Sequence, residues 1–148
     1  MSVINIEDRV REVLAALNSH DPERVLALMA EDAVWINPNG AFKGKAELKR
    51  YIDWMNTVVR DFTVTLSGVG IMTKGNEAMV EHEISGIVEV EPVSFLSFCA
   101  YEFDENNQVK ILRTVFDRLA LAEQGTDSWL SKTIVHQVVK KMQEGLED

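Results

Sequence analysis

Apolar residues recur at helical spacing through much of the first third of the chain and at every second position through most of the remainder. Val10, Val13, Leu14 and Leu17 share one helical face and predict an amphipathic helix over residues 6–17. Asp21-Pro22-Glu23 reads as an N-cap followed by proline at the first helical position, with Val25, Leu26, Leu28 and Met29 behind it. Residues 33–37 predict a short strand that Pro38-Asn39-Gly40 turns, and residues 44–59 a third helix with Leu48, Tyr51, Ile52, Met55 and Val59 on one side. From residue 61 the period is two, giving strands over 62–72, 78–90 and 94–103. Gly75-Asn76 marks a turn between the first two, Glu91-Pro92 breaks the next pair, and residues 104–107 make a polar hairpin turn into a last strand over 109–119. Helices first and an antiparallel meander afterwards make an α+β domain.

The tail has a different pattern. Gly125 ends the domain proper, so residues 1–124 are read as one domain and 125–148 as a helical extension. Within it Thr126 or Asp127 can cap a helix over 129–144, whose Leu130, Ile134, Val138 and Met142 form a narrow apolar seam with Lys132, Lys140 and Lys141 outside it.

Alternation splits the strands into faces. On the 78–90 strand, Val80, His82, Ile84, Gly86 and Val88 oppose a face carrying Glu81, Glu83 and Glu89, so the first face points inward. His82 is then the ionisable group on an otherwise apolar inner face. Two readings stay open for it: a core histidine satisfied by a neighbouring hydroxyl or carbonyl, or a general acid–base group in a pocket. The 94–103 strand is apolar on both faces, and pattern alone does not orient it.

Composition narrows the partners. A chain of 148 residues with 46% hydrophobic and 26% charged positions fits one globular domain. A net charge of −9 opposes nucleic acid phosphates and anionic membranes. No run reaches the ~20 apolar residues of a membrane span, and residues 1–11 lack the apolar core of a secretory signal. The single cysteine, Cys99, makes no internal disulfide, which fits the cytoplasm. His20, His82 and His136 have no metal-ligand spacing, and phosphate loops and nucleophile elbows are absent, so neither a metal nor a cofactor is expected.

The stretch AALNSHDPERVLALMAEDAVWINPNGAFKG, residues 15–44, resembles the opening of the ketosteroid-isomerase and SnoaL-like branch of the NTF2-like superfamily, as does ILRTVFDRLALAEQ near the end. The resemblance implies an NTF2-like cone, with N-terminal helices packed on a curved antiparallel or mixed sheet enclosing an apolar pocket. It also implies which catalytic groups are replaced. Where ketosteroid isomerases carry a tyrosine and two aspartates, this chain has Val13, Asn37 and Cys99. The inward aspartate of SnoaL-like cyclases and limonene-epoxide-hydrolase-like members falls on Thr114, and their preceding His or Trp near Leu112 and Arg113. Asp117 falls on the face opposite Thr114, which suits a structural role, capping the following turn or pairing with an arginine.

Aligned this way, Cys99, Tyr101, Leu112, Thr114 and Phe116 face inward. The expected pocket therefore holds His82, Tyr101 and Asn37 as catalytic candidates, with Trp35, Trp54, Phe95, Cys99, Leu112, Thr114 and Phe116 as its substrate-binding wall. Tyr101 is either a hydrogen-bond donor to a substrate oxygen or a core aromatic with its hydroxyl at the rim. Trp54 is either pocket or plain helix core, and Cys99 packs as a small hydrophobe rather than a nucleophile. Three functions compete. The first is a cofactor-independent isomerase, cyclase or dehydratase acting on a small apolar or polycyclic molecule through His82, with Tyr101 and Asn37 on the substrate oxygen. The second is a binding or interaction domain without chemistry, and the third is epoxide hydrolysis resting on Asn37. Proteins of this resemblance commonly pair, and Leu96, Phe98 and Val115 offer an outer apolar face for a homodimer.

Overall fold

A computed structural model describes residues 4–126 and 128–146. Two helices open the chain, α1 (Ile6–Asn18) and α2 (Pro22–Ala27), each started by a side-chain cap: Asn5 Oδ1 accepts from Glu7 N, and Asp21 Oδ1 accepts from Glu23 N at 3.0 Å. The strand β1 (Met29–Asn37) starts earlier than the sequence suggests, and the Pro38-Asn39 turn returns it into a short partner, β2 (Gly40–Lys43). Then come α3 (Gly44–Val58), β3 (Arg60–Lys74), β4 (Glu77–Val88), β5 (Glu91–Phe103) and β6 (Val109–Phe116). The chain finishes with α4 (Arg118–Gly125) and α5 (Trp129–Met142).

The sheet has six strands in the order β2-β1-β6-β5-β4-β3, antiparallel except where β1 and β6 run parallel. Helix α1 packs on β3 and α3 on β1, so both cover the concave side. The core lies between them and the sheet, with Val10, Val13, Leu48, Ile52, Val80, Tyr101, Phe103 and Leu112 almost fully buried. At 15 residues β3 is too long to stay straight. It breaks register with β4 twice, and it carries Asp61, Gly68 and Gly70 at positive φ. Those irregularities bend the strand and curl the sheet around the helices. The edge of β3 is covered as well. Asn18 donates to Val64 O at 2.9 Å and accepts from Val64 N at 2.7 Å, and His20 Nε2 bonds Phe62 O.

Other boundaries differ from the sequence reading as well. The β4–β5 reversal sits at Glu89–Val90, not Glu91-Pro92, and Glu89 takes a left-handed conformation. Pro92 is tolerated inside β5 because β6 reaches only as far as Ser97, so no strand asks for its missing N–H on that side. Where β6 is absent, Gln124 Oε1 of α4 accepts from Ser94 N at 2.8 Å. The last strand ends at Phe116 rather than residue 119, because Asp117 Oδ1 accepts from Leu119 N and Ala120 N and starts α4. Helix α5 has Ser128 at its N-cap instead of Thr126, while Asp127 lies outside the described residues. Its Leu130, Ile134, Val138 and Met142 seam is exposed. No helix among the described residues is long and apolar enough to cross a membrane.

Candidate functional site

The curled sheet, α3 and α4 enclose a cavity of about 370 Å³. That volume lies within the range of small-molecule sites. Its wall is apolar over most of its surface: Phe62, Val64, Ile84, Val88, Phe95 and Phe116 line one part, and Trp35, Tyr51, Trp54 and Leu112 another. Strand alternation delivers these side chains, on β4 as the pattern predicts and on β5 and β6 as the resemblance implies. On β4, β5 and β6 the inward positions are those of the His82, Cys99 and Thr114 faces, while Glu83, Leu96, Phe98 and Val115 are exposed on the other side.

Register then assembles a polar chain across four neighbouring strands. Trp35 of β1 sits opposite Leu112 of β6, which brings its indole within reach of Thr114, the next inward position. Thr114 is directly opposite Cys99 of β5, and His82 of β4 is opposite Ser97, diagonal to Cys99. The result is Trp35 Nε1–H donating to Thr114 Oγ1 at 2.9 Å, a hydrogen bond between Thr114 Oγ1 and Cys99 Sγ at 3.2 Å, and another between Cys99 Sγ and His82 Nε2 at 3.2 Å. Tyr101, two residues along β5, presents its hydroxyl to the same sulfur.

Every titratable member of this chain is neutral at pH 7. Burial lowers the His82 pKa from 6.5 to about 4. Burial pushes the Cys99 thiol up to about 11, against the opposing hydrogen bonds of Thr114 and Tyr101. Tyr101 is raised well above its ordinary value, again mainly by burial. A neutral imidazole has one N–H and one lone pair. Nε2 is engaged with the thiol, and Nδ1 is buried without a partner among the described residues. Whichever tautomer forms, Nδ1 is a buried polar atom left unsatisfied by the described residues.

Nine of the ten residues expected at the site line this cavity: His82, Tyr101, Trp35, Trp54, Phe95, Cys99, Leu112, Thr114 and Phe116. Trp54 resolves toward the pocket, with its ring stacked on Tyr51 at 5.8 Å and 47% of its surface exposed. Asn37 is not among the lining residues. Its Oδ1 accepts from Asn39 N at 2.8 Å, folding the Pro38-Asn39 turn, so the amide shapes the rim without facing the cavity. Val13 is core, behind the lining. Asp117 is the helix cap expected of it.

Sequence reasoning missed three polar rim residues. Asn39 Nδ2 donates to Tyr51 Oη at 3.4 Å, and Arg118 Nη1 donates to Pro38 O at 3.1 Å. Burial raises the Tyr51 pKa, opposed by its hydrogen bond with Asn39. The available signal was Asn39 in a turn that follows an inward strand, but nothing local indicated that α4 would fold back to bring Arg118 beside it. Among the described residues no cluster of His, Cys, Asp or Glu could hold a metal ion.

Comparison with known proteins agrees with this architecture. A ketosteroid-isomerase-like protein from Catenulispora acidiphila DSM 44928, solved in complex with trimethylamine, superposes with a TM-score of 0.73 at 13% identity, over 79% of this chain and 91% of that one. TerC co-crystallised with polyporic acid gives 0.72 at 15% identity, over 81% and 98% of the two chains. SalBIII, an epoxide hydrolase/cyclase-like enzyme of pyran ring formation in salinomycin, gives 0.68 at 13% identity, over 76% and 91%. No curated protein matches the sequence. The SnoaL-like domain family matches residues 10–112, well over half of the chain. This chain belongs to the SnoaL-like family of the NTF2-like superfamily.

Proposed function

We propose that the protein binds a small, ring-containing apolar molecule in its inner cavity, and that neutral His82 moves the proton in a cofactor-independent isomerisation, dehydration or cyclisation. The observation that carries this reading is the buried, neutral imidazole in the cavity wall with Nδ1 unpartnered. A base whose pKa is about 4 is in its accepting form at pH 7. Tyr101 and Thr114 carry hydroxyls in the cavity lining beside Cys99, and they suit a substrate oxygen better than Asn37, whose oxygen is taken by the turn. Cys99 supplies no nucleophile in this scheme, because its thiol stays protonated. Relatives of this fold co-crystallised with polyporic acid or acting in pyran ring formation make ring-bearing ligands a reasonable class to test.

The test is solvent deuterium exchange into a panel of polycyclic ketones, read by mass spectrometry with wild type and His82→Gln. General acid–base catalysis contributes about 10²- to 10⁴-fold, so exchange should fall by at least about a hundredfold in the variant while ligand affinity is kept. Exchange that is unchanged in His82→Gln would remove the catalytic role. A second reading, binding without chemistry, is favoured by the absence of any carboxylate among the described residues that line the cavity. Tight binding with no exchange would establish it. Epoxide hydrolysis rested on Asn37 and has no support from that residue's position.

We also read the outer face of β5 and β6 as a homodimer surface, on the exposure of Leu96, Phe98 and Val115. Sedimentation of wild type and Phe98→Asp tests it. A dimer converted to monomer supports the reading, and a monomeric wild type at micromolar concentration contradicts it.

A further inference from the structure

We infer that the ligand of this cavity carries an oxyanion, a carboxylate or ionised enol, on its apolar ring body, and that Arg118 and Asn39 hold that group at the rim. The inference rests on the ligand-binding reading above and adds the chemical class of the ligand. Arg118 is the one ionised side chain among the described residues that line the cavity, since His82 is neutral there. It is also unspent. No carboxylate of the described residues forms an ion pair with it, and its guanidinium has a single protein acceptor, Pro38 O at 3.1 Å. A guanidinium has five N–H donors. The neighbouring carboxylate that could have neutralised it, Asp117, is turned away to accept from Leu119 N and Ala120 N at 2.9 and 3.0 Å.

The Pro38 bond fixes the guanidinium beside the turn that presents Asn39. The Asn39 side-chain amide has only a long contact of 3.4 Å to Tyr51 Oη, so it too has donor capacity left. Planar guanidinium recognition of an oxyanion needs this kind of fixed, multi-donor rim. Behind it, Phe62, Ile84, Phe95 and Phe116 offer an apolar wall for a ring system, and no carboxylate among the described lining residues repels an anion. In a protein of net charge −9, a cation at the cavity rim with no ion pair among the described residues selects the sign of what enters.

The experiment uses anthracene-2-carboxylate and its uncharged carboxamide, titrated into wild type, Arg118→Gln and Arg118→Lys at about 0.15 M salt. Quenching of tryptophan fluorescence gives the affinities. Charge-assisted hydrogen bonds discriminate at this scale, so wild type should hold the carboxylate at least about tenfold more tightly than the carboxamide. Arg118→Gln should erase that preference by weakening the carboxylate at least about tenfold more than the carboxamide, and Arg118→Lys should restore part of it. Equal affinities in wild type, or a preference that survives Arg118→Gln, would overturn the oxyanion assignment and leave the ligand-binding reading standing. Binding of neither probe would remove both.

Discussion

Neutral His82 makes a prediction about stability that needs no ligand. The residue is 3% exposed, and burial holds its pKa at about 4 against 6.5 for an ordinary histidine. Between those two values the unfolded chain binds a proton that the folded chain refuses. Stability from this group is therefore fully present above pH 6.5, falls as the pH drops, and levels off below about 4. At ~1.4 kcal/mol per pH unit, the loss from pH 7 to pH 4 is about 3 kcal/mol. Replacing His82 with leucine, close in size and without charge, should abolish this component. Urea unfolding of both proteins at half-unit steps from pH 7.5 to 4 gives the difference directly, because the carboxylates titrate alike in each. The variant should gain about 3 kcal/mol relative to wild type across that window. A difference that stays flat within ~0.5 kcal/mol, or an NMR titration placing wild-type His82 near 6.5, would refute the neutral, desolvated imidazole.

Neighbouring residues carry further expectations. Cys99, with its thiol pushed up to about 11, should resist labelling by thiol reagents at pH 8 and react only as the protein unfolds; rapid stoichiometric labelling of the native state would contradict its burial. Asp117→Ala removes the cap of α4 and should cost about 1 kcal/mol in chemical denaturation. It should also weaken ligand binding, because Leu121 and Ala122 of that helix line the cavity. At Gly86 an added Cβ would stand 2.6 Å from Val59 Cγ1 and 2.8 Å from Arg60 O, so Gly86→Ala should destabilise by about 1–3 kcal/mol, and an unchanged melting temperature would show that β3 can yield there.

Much of the fold was legible because local pattern and tertiary burial agree. The two-residue period of β4 put His82 inside with Val80 and Ile84, and the Asp21-Pro22 pair marked the start of α2. Features that depend on distant partners were not legible. β2 has four residues and no apolar alternation, so it reads as part of a turn until β1 pairs with it. Pro92 looked like a break because its tolerance depends on β6 stopping short, which no local window shows. At the site, the inward face of β5 came only through the family resemblance. The Trp35–Thr114 bond depends on parallel pairing of β1 with β6, two segments far apart in sequence. Asn37 falls outside the lining because strand alternation says which side a residue faces, but not that its side chain will be drawn back to cap its own turn. Arg118 falls within the ILRTVFDRLALAEQ resemblance, but no pattern put it at the rim, since that place comes from the packing of α4 against β5.

The central claim is that this cavity takes a ring-bearing ligand with His82 in its wall. Its most direct test is to follow the His82 ring nitrogens and the Trp35 indole by NMR during titration with tricyclic and tetracyclic ligands. Saturable shifts are expected at both residues, with His20 and His136 undisturbed. Signals at His82 and Trp35 that no ligand moves, or shifts confined to α5 and the outer sheet face, would contradict it.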